Sequence, residues 1–236
     1  SLQYDGKEML IAGLQPNFWR GITDNDVANG TQERCGTWRE AGKNMVLKSI
    51  KAESADGNQK ATVEAHFDMP EQESDMVITY NMLPNGNIDV NMHFTPGNKA
   101  LPEIPRLGMR MILKADYDQM TWLGRGPQEN YSDRKSGYLV GKYSASVWDQ
   151  YHPYVRAQET ANKCDVRWFT LASKSGDGIM VEGEEPLSVS AWNFPQDDLH
   201  YIPSMQAHRH GGCVDKKDMV WVNIDHLQMG VGGDNT

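Results

Sequence analysis

The sequence predicts an all-β protein. Three observations carry that prediction. Apolar and polar residues alternate with a period of two over most of the chain. Clusters of Gly, Pro, Asn and Asp interrupt the alternation at the spacing expected of a sandwich. No long segment carries the 3.6-residue period of an amphipathic helix. With 236 residues, the chain can form one large β domain or two smaller ones.

The elements can be taken in order. A short helix is expected over "ERCGTWREAG" (33–42), with Trp38 docked on a sheet. A three-strand meander follows between about 60 and 95. In "KATVEAHFDM", Ala61, Val63, Ala65, Phe67 and Met69 share one face, while Thr62, Glu64, His66 and Asp68 share the other. Met76, Ile78, Tyr80 and Met82 repeat the pattern, as do Ile88, Val90, Met92 and Phe94. Asn85-Gly86 joins those two runs and predicts a hairpin, because both residues tolerate positive φ. Further strands are expected at 106–115, 120–124, 137–147, 165–173, 178–184, 187–194 and 219–231, with a turn or short helix starting at "QDDLHYI".

Composition excludes several classes of function. A net charge of −9 and a pI near 5.2 argue against nucleic acid or an anionic membrane as partner. No run approaches the roughly 18 apolar residues of a membrane span. The chain opens on Ser1 rather than Met, so a cut or processed chain is expected, soluble and either cytoplasmic or periplasmic. Cys35, Cys164 and Cys213 are widely spaced with no CxxC pair, which predicts buried thiols rather than a zinc site.

Several residues invite a chemical reading. His208 and His210 would share a strand face, but no Cys, Glu or Asp nearby completes a ligand set. His152 lies between aromatics in "YHPYV", a context that favours a packed loop over a general base. No GxSxG elbow is present, and neither "GRG" (124–126) nor "MGVGGD" (229–234) precedes a helix that could cradle phosphate. Carboxylates that could pair as in a glycosidase include Asp24 with Asp26, Glu129 with Asp133, Glu159, and Glu182 with Glu184 and Glu185. Asp24 and Asp26 also fit a turn whose side chains cap backbone amides. Of the seven Trp residues, five or more are expected in the core, although aromatic faces beside polar groups also suit sugar binding.

Five motifs occur in order: "QPNFWRGITDND" (15–26), "EIPRLGMRM" (103–111), "WLGRGPQENYSDRKSG" (122–137), "YHPYVRAQETANKCDVRW" (151–168) and "VWVNIDHLQMGVGGDN" (220–235). Together they resemble the C-terminal small-chain domain of the family 2 glycoside hydrolase β-galactosidases, over nearly the whole chain. The resemblance implies a large antiparallel two-layer supersandwich, galactose mutarotase-like, with residues 1–236 forming a single domain of a longer enzyme. It implies that the catalytic glutamates lie in a separate (β/α) barrel, leaving no catalytic residue, metal or cofactor in this chain; a divalent cation would belong to the barrel domain. The partners it implies are the enzyme's own barrel and other domains, the galactoside substrate, and further copies in a homo-oligomer.

The same resemblance suggests site residues. Asp24, Asn25 and Asp26, with Gly233 and Asp234, become candidates for the wall of the substrate pocket. Ala28 stands where a relative has glycine, which argues against the same hinge. The last motif ordinarily continues into a tryptophan that stacks on sugar, so a chain cut before its final strand is expected. Arg125, Glu129, Asn130, Tyr131, Arg134 and His152 form a candidate cluster for structure or sugar contact. Arg125, Glu129 and Arg134 are expected to share charge-assisted hydrogen bonds. Two other functions are compatible with the fold the resemblance implies. A mutarotase-like aldose epimerase would need His152, His208 or His210 with Glu129 or Glu159. A free-standing carbohydrate-binding module would bind galactosides alone.

Overall fold

The computed structural model describes residues 2–55, 57, 60–97, 100–200 and 214–232. The chain forms two compact units, Ser1–Gly36 with Ile104–Thr236, and Thr37–Glu103. The elements run in this order. A short hairpin of β1 (Gln3–Tyr4) and β2 (Lys7–Glu8) leads into β3 (Leu10–Asn17) and two short helices, α1 (Asp24–Asn29) and α2 (Thr31–Arg34). After a 3₁₀ turn at Gly36–Trp38 come β4 (Val46–Ala55), β5 (Lys60–Met69), β6 (Ser74–Met82) and β7 (Ile88–Thr95). The chain then supplies β8 (Arg106–Lys114), β9 (Gln119–Gly126), β10 (Leu139–Ser146), β11 (Lys163–Ala172), β12 (Gly178–Trp192) and β13 (Met219–Gln228). Among the described residues, no helix is long and apolar enough to cross a membrane.

The smaller unit holds the predicted meander, extended by one strand into an antiparallel sheet of order β4-β5-β6-β7. Its register pairs Ala65 with Ile78 and Phe67 with Met76, so the predicted apolar faces coincide. The β6–β7 hairpin turns where Asn85-Gly86 predicts it, with Gly86 at φ 86°. Trp38 docks edge-on against Phe94 at 5.9 Å, and its indole N–H donates to the Pro102 carbonyl at 3.1 Å.

The larger unit is a seven-stranded antiparallel sheet of order β10-β9-β11-β12-β13-β8-β3. Alternation along β9 sends Met120 and Trp122 into the core, where they meet Phe169, Leu171, Val189, Val220 and Val222. Five of the seven tryptophans, residues 19, 38, 122, 192 and 221, are buried, as composition suggested. The long β12 pairs with β11 through Gly178–Val189 and with β13 through Ser188–Trp192, so the two halves of the sheet are offset along it. The ends of β3 and β13 and the start of β8 therefore fall near the end of β9 and the start of β11, at the step around Ser188 and Val189. All five sequence motifs reach that step.

Some elements differ from expectation, each for a physical reason. β4 is exposed along its whole length, so Lys, Ser and Glu sit on both faces and no alternation marks it. In β3, Ile11 is half exposed and blurs the Leu10–Ala12–Leu14 face. The segments 178–184 and 187–194 are largely one strand, β12, with a bulge between Glu182 and Leu187 opposite β11. Pro186 falls in that bulge, where a missing N–H costs the ladder nothing. The helix expected at 33–42 is instead α2 followed by the 3₁₀ turn, and "QDDL" forms another 3₁₀ turn at Gln196–Leu199. "TDNDVANG" is a helix start rather than a turn. Thr23 caps α1 through its hydroxyl, which accepts from the Asp26 N–H, while the Asp26 carboxylate accepts from the Thr23 N–H.

Candidate functional site

The step in the sheet where the motifs converge is held by buried charge. Arg106, at the start of β8, is fully buried. Its guanidinium donates to Glu159 at 3.0 Å, Gln196 at 3.1 Å and Gln228, and pairs with Asp225 at 3.1 Å. Glu159 turns its second oxygen to the Gly21 N–H at 2.8 Å. Two carboxylates thus share one cation in a dry site. Burial pushes Asp225 up to about 7 against the pull of Arg106, with Glu159 adding repulsion. Burial raises Glu159 as well, opposed by Arg106 and Arg20. Beside this group, Arg20 grips Asp26 with two bonds of 2.7 and 3.0 Å, both residues buried.

The loop after β9 contributes a second set. Glu129 accepts from the Thr160 hydroxyl at 3.0 Å, the Ala161 N–H at 2.7 Å, the Tyr154 hydroxyl and Arg134. Asn130 is buried, and its backbone and side chain fasten Asn162 and Cys164. Tyr131 is buried under the Arg134 guanidinium, 5.0 Å above its ring. Its hydroxyl has no hydrogen-bond partner among the described residues, and burial with nearby Glu129 pushes it well above the usual tyrosine range. Lys163 is also buried, donating to the Ala161 carbonyl at 2.9 Å and lying 5.2 Å over Trp122. Burial lowers it to about 8. Burial likewise raises the Cys164 thiol to about 11, far from a reactive thiolate.

The expected three-residue charge cluster is corrected in one respect. Glu129 and Arg134 pair, but Arg125 does not join them. Arg125 belongs to β9, whose alternation directs it off the Trp122 face toward Asp165 and the carbonyls of Lys135 and Tyr138. His152 is exposed, its ring edge-on to Tyr154 at 4.4 Å. Asp24 and Asp26 do not pair as carboxylates: Asp26 is buried on Arg20, whereas exposed Asp24 bonds Arg156 at 2.7 Å and Gln158 at 3.1 Å. Burial opposes the shift, yet the Arg156 and Gln158 bonds hold Asp24 below its ordinary value. Gly233, Asp234, His208, His210 and Cys213 lie outside the described residues. Among those described, no group of three or more His, Cys, Asp or Glu is placed to hold a metal ion.

Three side chains from two segments also meet the stretch after β13. Arg20 donates to the Gly230 carbonyl at 2.9 Å, and Asn25 to the Val231 carbonyl at 2.7 Å. The Gly232 N–H donates to Asp133 at 2.6 Å. A Cβ on Gly230 would lie 2.6 Å from the Asp133 carboxyl carbon, and one on Gly232 2.7 Å from its oxygen. The glycines of "MGVGGD" therefore serve a close approach.

The sequence matches the family described as "Beta galactosidase small chain" over residues 1–236. The chain belongs to the β-galactosidase small-chain family. A "Beta-galactosidase" of Priestia megaterium is 36% identical, with 100% of this chain and 22% of that protein aligned. Those of Halalkalibacterium halodurans and Lactobacillus delbrueckii subsp. bulgaricus are 30% and 31% identical, again over all of this chain and 23% and 22% of their own length. The small chain thus spans less than a quarter of the curated relatives it matches. Reading this small chain residue by residue named the Glu129 loop but missed Arg20, Arg106 and Asp225. Their signal was available: opposite charges embedded in the apolar strands "EIPRLGMRM" and "VNIDHL" must pair if those strands are buried.

Proposed function

We propose that this chain is the accessory sheet domain of a β-galactosidase. In this reading it walls the galactoside pocket and packs on a catalytic barrel that carries the acid/base and nucleophile glutamates. The family match along the entire chain carries the proposal, since the matched β-galactosidases are more than four times its length. The state of the carboxylates supports it. Asp26, Glu129, Glu159 and Asp225 each face cations or donors of the chain itself, which suits anchoring better than proton transfer to a sugar. The wall would be formed by α1 and the stretch after β13, which Arg20 and Asn25 link.

The test compares the chain alone with the full-length enzyme that carries it. The chain alone should hydrolyse no chromogenic β-galactoside and leave the mutarotation of freshly dissolved α-galactose unaccelerated in a polarimeter. The full-length enzyme should hydrolyse the galactoside. Accelerated mutarotation in proportion to chain concentration would replace this reading with the epimerase one.

A further inference from the structure

We propose that Asp133 and Asn25, backed by Arg20, are positioning residues that hold Gly230–Gly232 against α1 and so preset the pocket wall for a galactoside. The inference rests on the pocket-wall reading above and adds residues to it. β13 ends at Gln228, and the Met229 N–H makes the next backbone bond, to Pro105 at 3.0 Å. Side chains then take over, one for each of the three following residues: Arg20 on Gly230, Asn25 on Val231 and Asp133 on Gly232. Arg20 and Asn25 come from the continuous stretch through the start of α1 and Asp133 from the loop after β9, so two distant segments converge on one short stretch.

General stabilisation does not account for this arrangement. Asp133, Asn25 and Gly232 are all exposed, and a single surface hydrogen bond adds little to folding. Yet the chain has dispensed with side chains at 230 and 232, where the Asp133 carboxylate occupies the space a Cβ would need. What the bonds do specify is direction: they set the path of the backbone as it leaves the sheet, and tie that path to α1. A ligand that contacts both segments then meets a surface already in place and need not spend its own binding free energy on ordering it.

The test uses the full-length enzyme with Asp133→Ala and Asp133→Asn. The alanine variant loses the acceptor for the Gly232 N–H, whereas the asparagine oxygen keeps it. Asp133→Ala should raise KM for a chromogenic β-galactoside about threefold to tenfold, with kcat changed less than about twofold. It should also speed amide exchange at 229–232 without moving the melting temperature. Asp133→Asn should restore both KM and slow exchange. Unaltered exchange in Asp133→Ala overturns the clamp, whatever the activity. Faster exchange with unaltered KM overturns the positioning role while leaving the pocket-wall reading intact. An unsubstituted enzyme that hydrolyses no β-galactoside overturns that reading instead, and the role of the clamp in substrate binding with it.

Discussion

Arg106 shows what one residue carries. It sits in a fully buried position and answers two carboxylates and two side-chain amides. A buried ion pair adds little net stability over a well-packed apolar group, but removing one partner strands the rest. Arg106→Met leaves Glu159 and Asp225 without the cation they share, and should cost about 3–5 kcal/mol in urea unfolding. A loss below about 1 kcal/mol would mean that the carboxylates find another partner. The same site sets a pH dependence. Asp225 sits near 7 in the folded protein, above its unfolded value of about 3.9. A carboxylate raised in this sense favours folding below its unfolded value, and that contribution is lost as pH climbs through its folded value. The urea midpoint should therefore lose this contribution from about pH 4 to about pH 7, and Asp225→Asn should flatten that part of the curve. Parallel profiles for the two proteins would exclude Asp225 as the source.

Among the elements, α1 and β4 show how far local patterns reach. Thr23 and Asp26 are spaced as a capping box, so the start of α1 could be read from the chain; that Asp26 is also the buried partner of Arg20 could not. β4 shows the opposite limit. It is an edge strand, and Val46, Leu47 and Ile50 are each at least half exposed, which leaves apolar side chains along an open row of N–H and C=O groups. The chain studied alone should self-associate through this edge. Leu47→Lys should raise the concentration at which light scattering reports a monomer, at little cost to stability because the position is exposed. If the variant associates as readily as the parent, the contact lies elsewhere.

At the scale of the whole molecule, strand order and stagger do the assembling. The motifs are spread from residue 15 to residue 235, and each reads alone as an ordinary loop or strand end. In the seven-stranded sheet, the offset of its two halves along β12 brings their strand ends together, where Glu129, Glu159, Arg106 and Asp26 serve as anchors. This is why carboxylates that look available in the sequence are engaged in the fold. The net charge of −9 adds no steering toward polyanions.

The sequence alone determined the all-β class, the β5–β6–β7 meander with its Asn85-Gly86 turn, the burial of most tryptophans and the membership of the family. Those features depend on local alternation, turn chemistry or motif order, which a linear chain displays. The tertiary structure decided the partners. Arg125 went to Asp165 rather than to Glu129, Asp24 and Asp26 went to different arginines, and Asp133 met Gly232 across the chain. A buried charge must find its counterion wherever strand order brings one, and strand order is a property of the sheet, not of any single stretch of sequence.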